Sequence, residues 1–362
     1  MNDLNMNRLP VPTWNQCGVN SAPKAAALPE IPGDDWGEAN IAFTLPAGVG
    51  EAEKDFTAFS ESGMGEAVDT YLLENATVRH ALTVAEDTKV EAPALFEVTL
   101  DAAHPNALSV LSVDAKAGSS LTVVQVVRGD AEKGAAASLT RIRAGENAHV
   151  KLVQVQLLGS HARRWNAVAI EEAKSAKVEQ VRIELGGALS ACGAKAQLAA
   201  SKSEYDLDAV YFGSGDAVLD HNDVSVHTAK DTLCEMHTAG VLTGHADKIL
   251  RGTIDFRRGA KRGVGHESED VLLFSPAARN LTAPPILCGE EAVEGPAGPS
   301  IGRLDEAKLY YLRSRGLSEE QARRLMVDAR FAPAIEKIPL AALQDEVREA
   351  AARRLDDAES MD

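Results

Sequence analysis

The chain has 362 residues, 45% hydrophobic but only 4% aromatic, enough for a substantial core that must be built from aliphatic side chains. With 37 Lys plus Arg against 54 Asp plus Glu, the net charge of −17 repels nucleic acid and anionic membrane over a Debye length, so neither is expected as a partner. No apolar run of about 20 residues occurs, and no hydrophobic signal core follows a basic cap, so the chain reads as folded, soluble and cytoplasmic.

Residues 1–76 read as an N-terminal arm of loop and short helix. Pro10, Pro12, Pro23, Pro29, Pro32 and Pro46 interrupt it, because each lacks an amide donor and restricts the residue before it. A helix is expected near Ala67–Leu73, with Trp14 and Trp36 as packing anchors.

Residues 77–299 turn into short β-branched runs separated by Gly, Asn, Asp and small residues. Four runs, Val123-Val124-Gln125-Val126, Leu152-Val153-Gln154-Val155, Gln180-Val181-Arg182-Ile183 and Asp208-Ala209-Val210-Tyr211, start 29, 28 and 28 residues apart. A fifth, Ala239-Gly240-Val241-Leu242, falls near the next step. A repeat of this size without helical periodicity predicts a β-solenoid, each coil burying its strands against the coils above and below. The abundance of Ala and Gly suits inward positions of such a coil. An antiparallel sandwich shares the short-strand signature.

The four cysteines lie 175, 42 and 54 residues apart and make no metal-binding spacing. Cys17, Cys192 and Cys234 are expected as small buried residues; Cys288 is either a buried strand residue or a functional thiol. Five of nine histidines, His221, His227, His237, His245 and His266, fall within 46 residues. They are either scattered polar residues on outward faces or a ligand set for iron or zinc, to which Glu267, Glu269 and Asp270 beside His266 could add oxygens. No phosphate loop, dinucleotide fingerprint or GxSxG occurs. An enzyme acting on polysaccharide would need charged side chains clustered on adjacent coils, and Asp220, Asp223 and Arg251 are the candidates.

Near residue 300 the character changes again. The run Val271–Phe274 and the turn at Pro284-Pro285 close the β region. Three helices follow, expected at Leu304–Ser314, Ser318–Ala329 and Leu340–Leu355. Gly316 suits the left-handed end of the first, and Ser318 with Gln321 caps the second beside Glu319 and Glu320. Each helix has one apolar stripe, so each must lie on the solenoid, on a partner, or on both.

Four segments give the chain a family resemblance: Gly252–Phe256 with the basic Arg257–Gly265 behind it; Pro285-Ile286-Leu287-Cys288-Gly289-Glu290-Glu291; Ser300-Ile301-Gly302-Arg303-Leu304-Asp305-Glu306; and Tyr310-Tyr311-Leu312-Arg313-Ser314-Arg315-Gly316-Leu317. In order and spacing they resemble the SufB/SufD family of the SUF iron–sulfur cluster assembly system, on the SufD side, and Arg8–Asn15 is similar to the start of short SufD-like proteins. The resemblance implies a mainly β fold, a right-handed parallel β-helix core with an N-terminal arm and a C-terminal helical unit (residues 300–362). It implies a non-enzymatic scaffold that pairs with SufB, or with itself, and docks the SufC ATPase. Tyr310, Leu312, Leu317, Leu325 and Met326 would form the SufC-facing surface. Where the family usually carries a histidine in a short His-Gly-Ala or His-Ala-Ala run, Pro296-Ala297-Gly298-Pro299 stands here, and alanine neither ligates iron nor moves a proton. The resemblance therefore implies no stably bound cofactor, but a transient iron–sulfur cluster shared with SufB, with Cys288, Glu290 and Glu291 as its ligands from this side and His266 as a further metal candidate.

Overall fold

The computed structural model describes residues 5–13, 15–22, 41–52, 56, 58–303 and 306–361. Trp14 and Trp36, the expected anchors of the arm, and Leu304, the expected start of the first C-terminal helix, lie outside them.

Among the described residues the strands form two sheets facing each other across a lumen. One runs Ile41–Thr44, Ala94–Leu100, Ser120–Gly129, His149–Leu158, Lys177–Leu185, Glu204–Gly213, Leu233–Leu242, Val264–Leu273 and Ala297–Arg303. The other runs Val49–Glu51, Val78–Val84, Asn106–Ala115, Ala135–Ala144, Arg163–Glu172, Leu189–Leu198, Val218–His227 and Asp247–Phe256, and ends on Arg279–Ala283 with Ile286–Cys288 beside it. Successive strands of the chain alternate between the sheets, and neighbours within each sheet are parallel from Val78 onward. This is a parallel β-solenoid of about eight turns, not an antiparallel sandwich.

Register confirms the repeat and corrects its last steps. Val123 pairs with Leu152, Leu152 with Gln180, and Gln180 with Leu207 rather than Asp208. Leu207 then pairs with Met236, three residues before Ala239. The drift arises because coils differ slightly in turn length, while inward alternation has to be kept from coil to coil.

One corner is built the same way in every coil. Asp87, Gly118, Asn147, Ser175, Lys202, Asp231 and Arg262 all have φ between 54° and 66°. Each donates its amide to a carbonyl of the next coil, from Asp87 to Ala117 through to Arg262 to Ala292. The left-handed turn is disfavoured for a lysine or arginine, yet the stacked amide bond repeats at each level and holds it.

Alternation sorts the strand residues into three layers. Val150, Leu152, Val168, Ile170, Leu198, Tyr205 and Leu207 fill the lumen beside this corner. On the outside of the first sheet, Val153, Val155, Val181 and Ile183 pack beneath the C-terminal helices. On the outside of the second, Trp165, Ala167 and Ala191 pack beneath the arm, whose helix α1 spans Glu66–Asn75. Here Gly63 and Gly193 bring backbones together: a Cβ on Gly63 would lie 2.5 Å from the Ala194 amide nitrogen.

The C-terminal helices are α2 (Glu306–Ser314), α3 (Glu319–Ile335) and α4 (Ala341–Met361), the last two longer than the sequence pattern suggests. Gly316 is left-handed (φ 99°), and Ser318 and Gln321 form the reciprocal cap. Burial of Phe331, Ala334 and Ile335 against the sheet carries α3 past Ala329. Among the described residues no helix is long and apolar enough to cross a membrane.

Candidate functional site at the open end of the solenoid

The two ends of the solenoid differ. At the first coil, Ile41–Thr44 and Val49–Glu51 turn antiparallel and cover the sheets with strands of four and three residues. The arm therefore supplies a cap as well as a wrap, a role not expected of it. At the last coil, Ala297–Arg303 pairs only with Val264–Leu273, while Arg279–Ala283 and Ile286–Cys288 pair only with Asp247–Phe256. Short edges resist further pairing; the seven-residue Ala297–Arg303 leaves a full row of backbone groups available.

The sequence candidates fall around this mouth. Cys288 is in register with Phe256, a lumen residue, and so lies on the inward face of its strand. It is nevertheless exposed, because no further coil covers it, which removes the buried-strand alternative. Ala297 is in register with Glu267 on the opposite sheet, also on an inward position and half-buried. Cys288 and Ala297 thus line the two sides of the open lumen. Glu290 folds back: its Oε2 accepts from the Gly259 amide at 3.1 Å and its Oε1 from the Glu291 amide at 3.2 Å. The Gly259 amide above all, with the Glu291 amide and Lys261 and Arg258 nearby, holds the Glu290 carboxyl below its ordinary range. Glu291 is exposed.

His266 points outward and pairs with Glu235, Nδ1 to Oε1 at 2.7 Å. Among the described residues no three His, Cys, Asp or Glu side chains converge as a metal site. Nor do the five histidines share a face: His237, His245 and His266 are exposed, but His221 and His227 are buried in the lumen, against the expectation of outward positions. Cys192 and Cys234 are buried as expected, with burial pushing both thiols well up and out of reactive range. Cys17 is exposed rather than buried.

The lumen also carries a polar file that the sequence reading missed. Gln154 donates to Gln125 (2.8 Å), Gln180 donates to Gln154 (2.9 Å), and Tyr205 donates to Gln180 (2.8 Å). Arg182 forks onto Asp223 with both contacts at 2.7 Å. Nearer the mouth, buried Lys248 bonds Glu269, which also accepts from Tyr211 at 3.0 Å and from Thr282. The glutamine inside each repeated run was the available signal that one inward rung is polar. The same contacts dispose of the polysaccharide-enzyme candidates. Asp223 is spent on Arg182, and Arg251 and Asp220 pair beneath the arm, leaving no shared cleft.

The five residues expected to face the ATPase do not share one surface. Tyr310 is 76% exposed and Leu325 46%, joined by Tyr311 at 54%. Leu312 is half-buried against the core cluster of helices and solenoid, and Leu317 is half-buried. Met326, 8% exposed, belongs to that cluster itself.

The family described as SUF system FeS cluster assembly, SufBD core domain, matches residues 98–330. The chain belongs to this family. SufBD relatives in other organisms bear this out. The iron–sulfur cluster assembly protein SufD of Bacillus subtilis is 30% identical over 135 residues, 37% of this chain and 31% of the relative. SufBD family proteins of Synechocystis and Pyrococcus horikoshii are 24% and 28% identical over 58% and 54% of this chain. These matches cover 47% and 43% of those relatives, so the chain spans less than half the length of each of the three. The SufBD match begins at Val98 and ends at Arg330, and so takes in most of the solenoid, its open mouth and part of α3.

Proposed function

We propose that this chain is a SufD-like, non-catalytic scaffold of iron–sulfur cluster assembly, which associates through its open last coil with a SufB-type chain or a second copy. The observation that carries this is the asymmetry of the solenoid in a SufBD family member: one end is closed by short antiparallel strands, and the other leaves Ala297–Arg303 unpaired. The exposed Tyr310, Tyr311 and Leu325 are the surface for a SufC-type ATPase, in the manner of an apolar helix face laid into a groove. The cluster is cargo. With Ala297 and Cys288 facing each other across the mouth, one soft ligand is offered from this side, so the cluster rests mainly on the partner and Cys288 is its bridging thiolate. Residues 1–76, 77–299 and 300–362 act as arm, core and docking unit.

Light scattering of the purified chain, alone and mixed with a SufB-type chain, tests the association. A monomer at high concentration that does not shift on mixing would sink the reading.

A further inference from the structure

Both ring nitrogens of His221, both carboxylate oxygens of Glu267 and both amide atoms of Asn280 are buried without a hydrogen-bond partner in the protein. Buried polar groups are almost always satisfied, and a fully orphaned side chain points to water or another small ligand. These three are close in the fold. Asn280 is in register with Lys248, and Lys248 with Leu219, two residues before His221 on the inward face. Glu267 reaches across the lumen to the same sheet: a Cβ on Gly252 would lie 2.8 Å from its Cγ, and Gly252 is in register with Asp223. Glycine at 252 is what leaves room for the carboxyl.

The surrounding charges are already matched. Lys248, on the strand Asp247–Phe256, is bonded to Glu269; Asp223, on Val218–His227, holds Arg182. His221 packs edge-on to the Tyr211 ring at 5.7 Å and is kept neutral by burial and by the nearby Arg182, Lys248 and Arg251 charges. A neutral imidazole offers one donor and one acceptor, and the Asn280 amide offers both. An ionised Glu267 would have neither a donor nor an unspent cation.

We propose that the lumen of the last coils holds bound water hydrogen-bonded to His221, Glu267 and Asn280, and that Glu267 is a reversible proton-binding site on that water. When Glu267 ionises, its O–H bond breaks, the proton passes to a lumen water and leaves through the open mouth, and the carboxylate accepts hydrogen bonds from the same waters. Burial and then the neighbouring Glu269 carboxylate push this carboxyl up, Lys248 pulls it back, Asp223 adds to the rise, and the result is about 7. The site therefore exchanges its proton in the neutral range.

The test uses the full native chain. A high-resolution crystal structure is expected to show ordered water within hydrogen-bond distance of the three side chains. Infrared difference spectra between about pH 6 and about pH 8 are expected to show loss of a protonated-carboxyl C=O band, absent in E267Q. A dry lumen, with the three side chains turned to protein partners, overturns the proposal, and that arm does not depend on E267Q folding. A band unchanged by E267Q overturns it equally.

Discussion

Arg251 grips Asp220 with two nitrogens, Nη1 at 2.6 Å and Nη2 at 3.3 Å, while the same Nη2 donates to the Ser21 carbonyl at 2.8 Å. Asn7 reaches Asp220 from the other side, Nδ2 to Oδ1 at 2.8 Å. A strap from the arm is thereby clasped to the outside of the last coils, with Leu9 and Val19 seated on Ile249 and Ala283. Arg251→Ala leaves a buried carboxylate without its cation, and loss of one partner of such a pair costs about 3–5 kcal/mol. The denaturation midpoint should fall by a corresponding amount, and residues 5–22 should become the first site of limited proteolysis. Arg251→Lys should rescue little, because an ammonium cannot reach the carboxylate and two carbonyls at once.

Acid should destabilise the lumen through His227. Its ring bonds Thr232 (2.8 Å) and Ser225 (3.3 Å), stacks on Phe256 at 4.6 Å, and is pushed down to about 4 by burial. The native ring stays neutral while the unfolded chain takes a proton near pH 6.5, so the unfolded state binds more protons as pH falls from about 6.5 to about 4. Stability drops across that window by about 3 kcal/mol and levels off below it. His227→Gln should flatten this part of the pH profile in chemical denaturation; an unchanged slope would count against the assignment.

Gly193→Ala should act on the arm rather than the solenoid. A Cβ there would lie 2.3 Å from the Met64 amide nitrogen, so the loop before α1 must lift. The expected result is a loss of about 1–3 kcal/mol, typical of overpacking, with β-sheet circular dichroism retained. Hydrogen exchange should rise in Glu66–Asn75 and not in the neighbouring coils.

The repeat was legible because inward alternation must survive from coil to coil, so Val123, Leu152 and Gln180 recur at one step. The caps of α3 were legible because Ser318 and Gln321 act locally. Burial direction was not. Whether Met326 or Leu325 faces the sheet depends on how the helix sits on Val181 and Ile183, which no local pattern encodes. Likewise the inward placement of His221 follows from strand register, and the exposure of Cys288 follows from the absence of a coil above it.

Leu325 and Met326, adjacent in α3, should therefore respond oppositely. Leu325→Glu should abolish binding to a SufC-type ATPase, since central apolar anchors carry about 2 kcal/mol or more each, and leave the melting curve unchanged. Met326→Ala opens space in the helix–solenoid core and should cost about 2–5 kcal/mol of stability. Binding retained by Leu325→Glu would remove α3 from the interface.

Cys288 carries the remaining prediction, and its position makes the test clean. The residue ends a three-residue edge strand, is exposed, and lies on the inward face beside Ala297, so serine can replace it without disturbing a packed neighbour. Serine keeps the size but loses the soft, readily deprotonated sulfur that iron prefers. Cys288→Ser should therefore fold normally and assemble normally with SufB-type and SufC-type partners, yet lose most of the iron–sulfur absorbance after anaerobic reconstitution of the complex with iron and sulfide. Glu290, held by the Gly259 amide, is turned away from the mouth, so Glu290→Gln should leave that absorbance nearly intact. Full absorbance in Cys288→Ser would end the bridging role and place the cluster on the partner alone, because at the inward positions of this mouth Ala297 offers no ligand of its own.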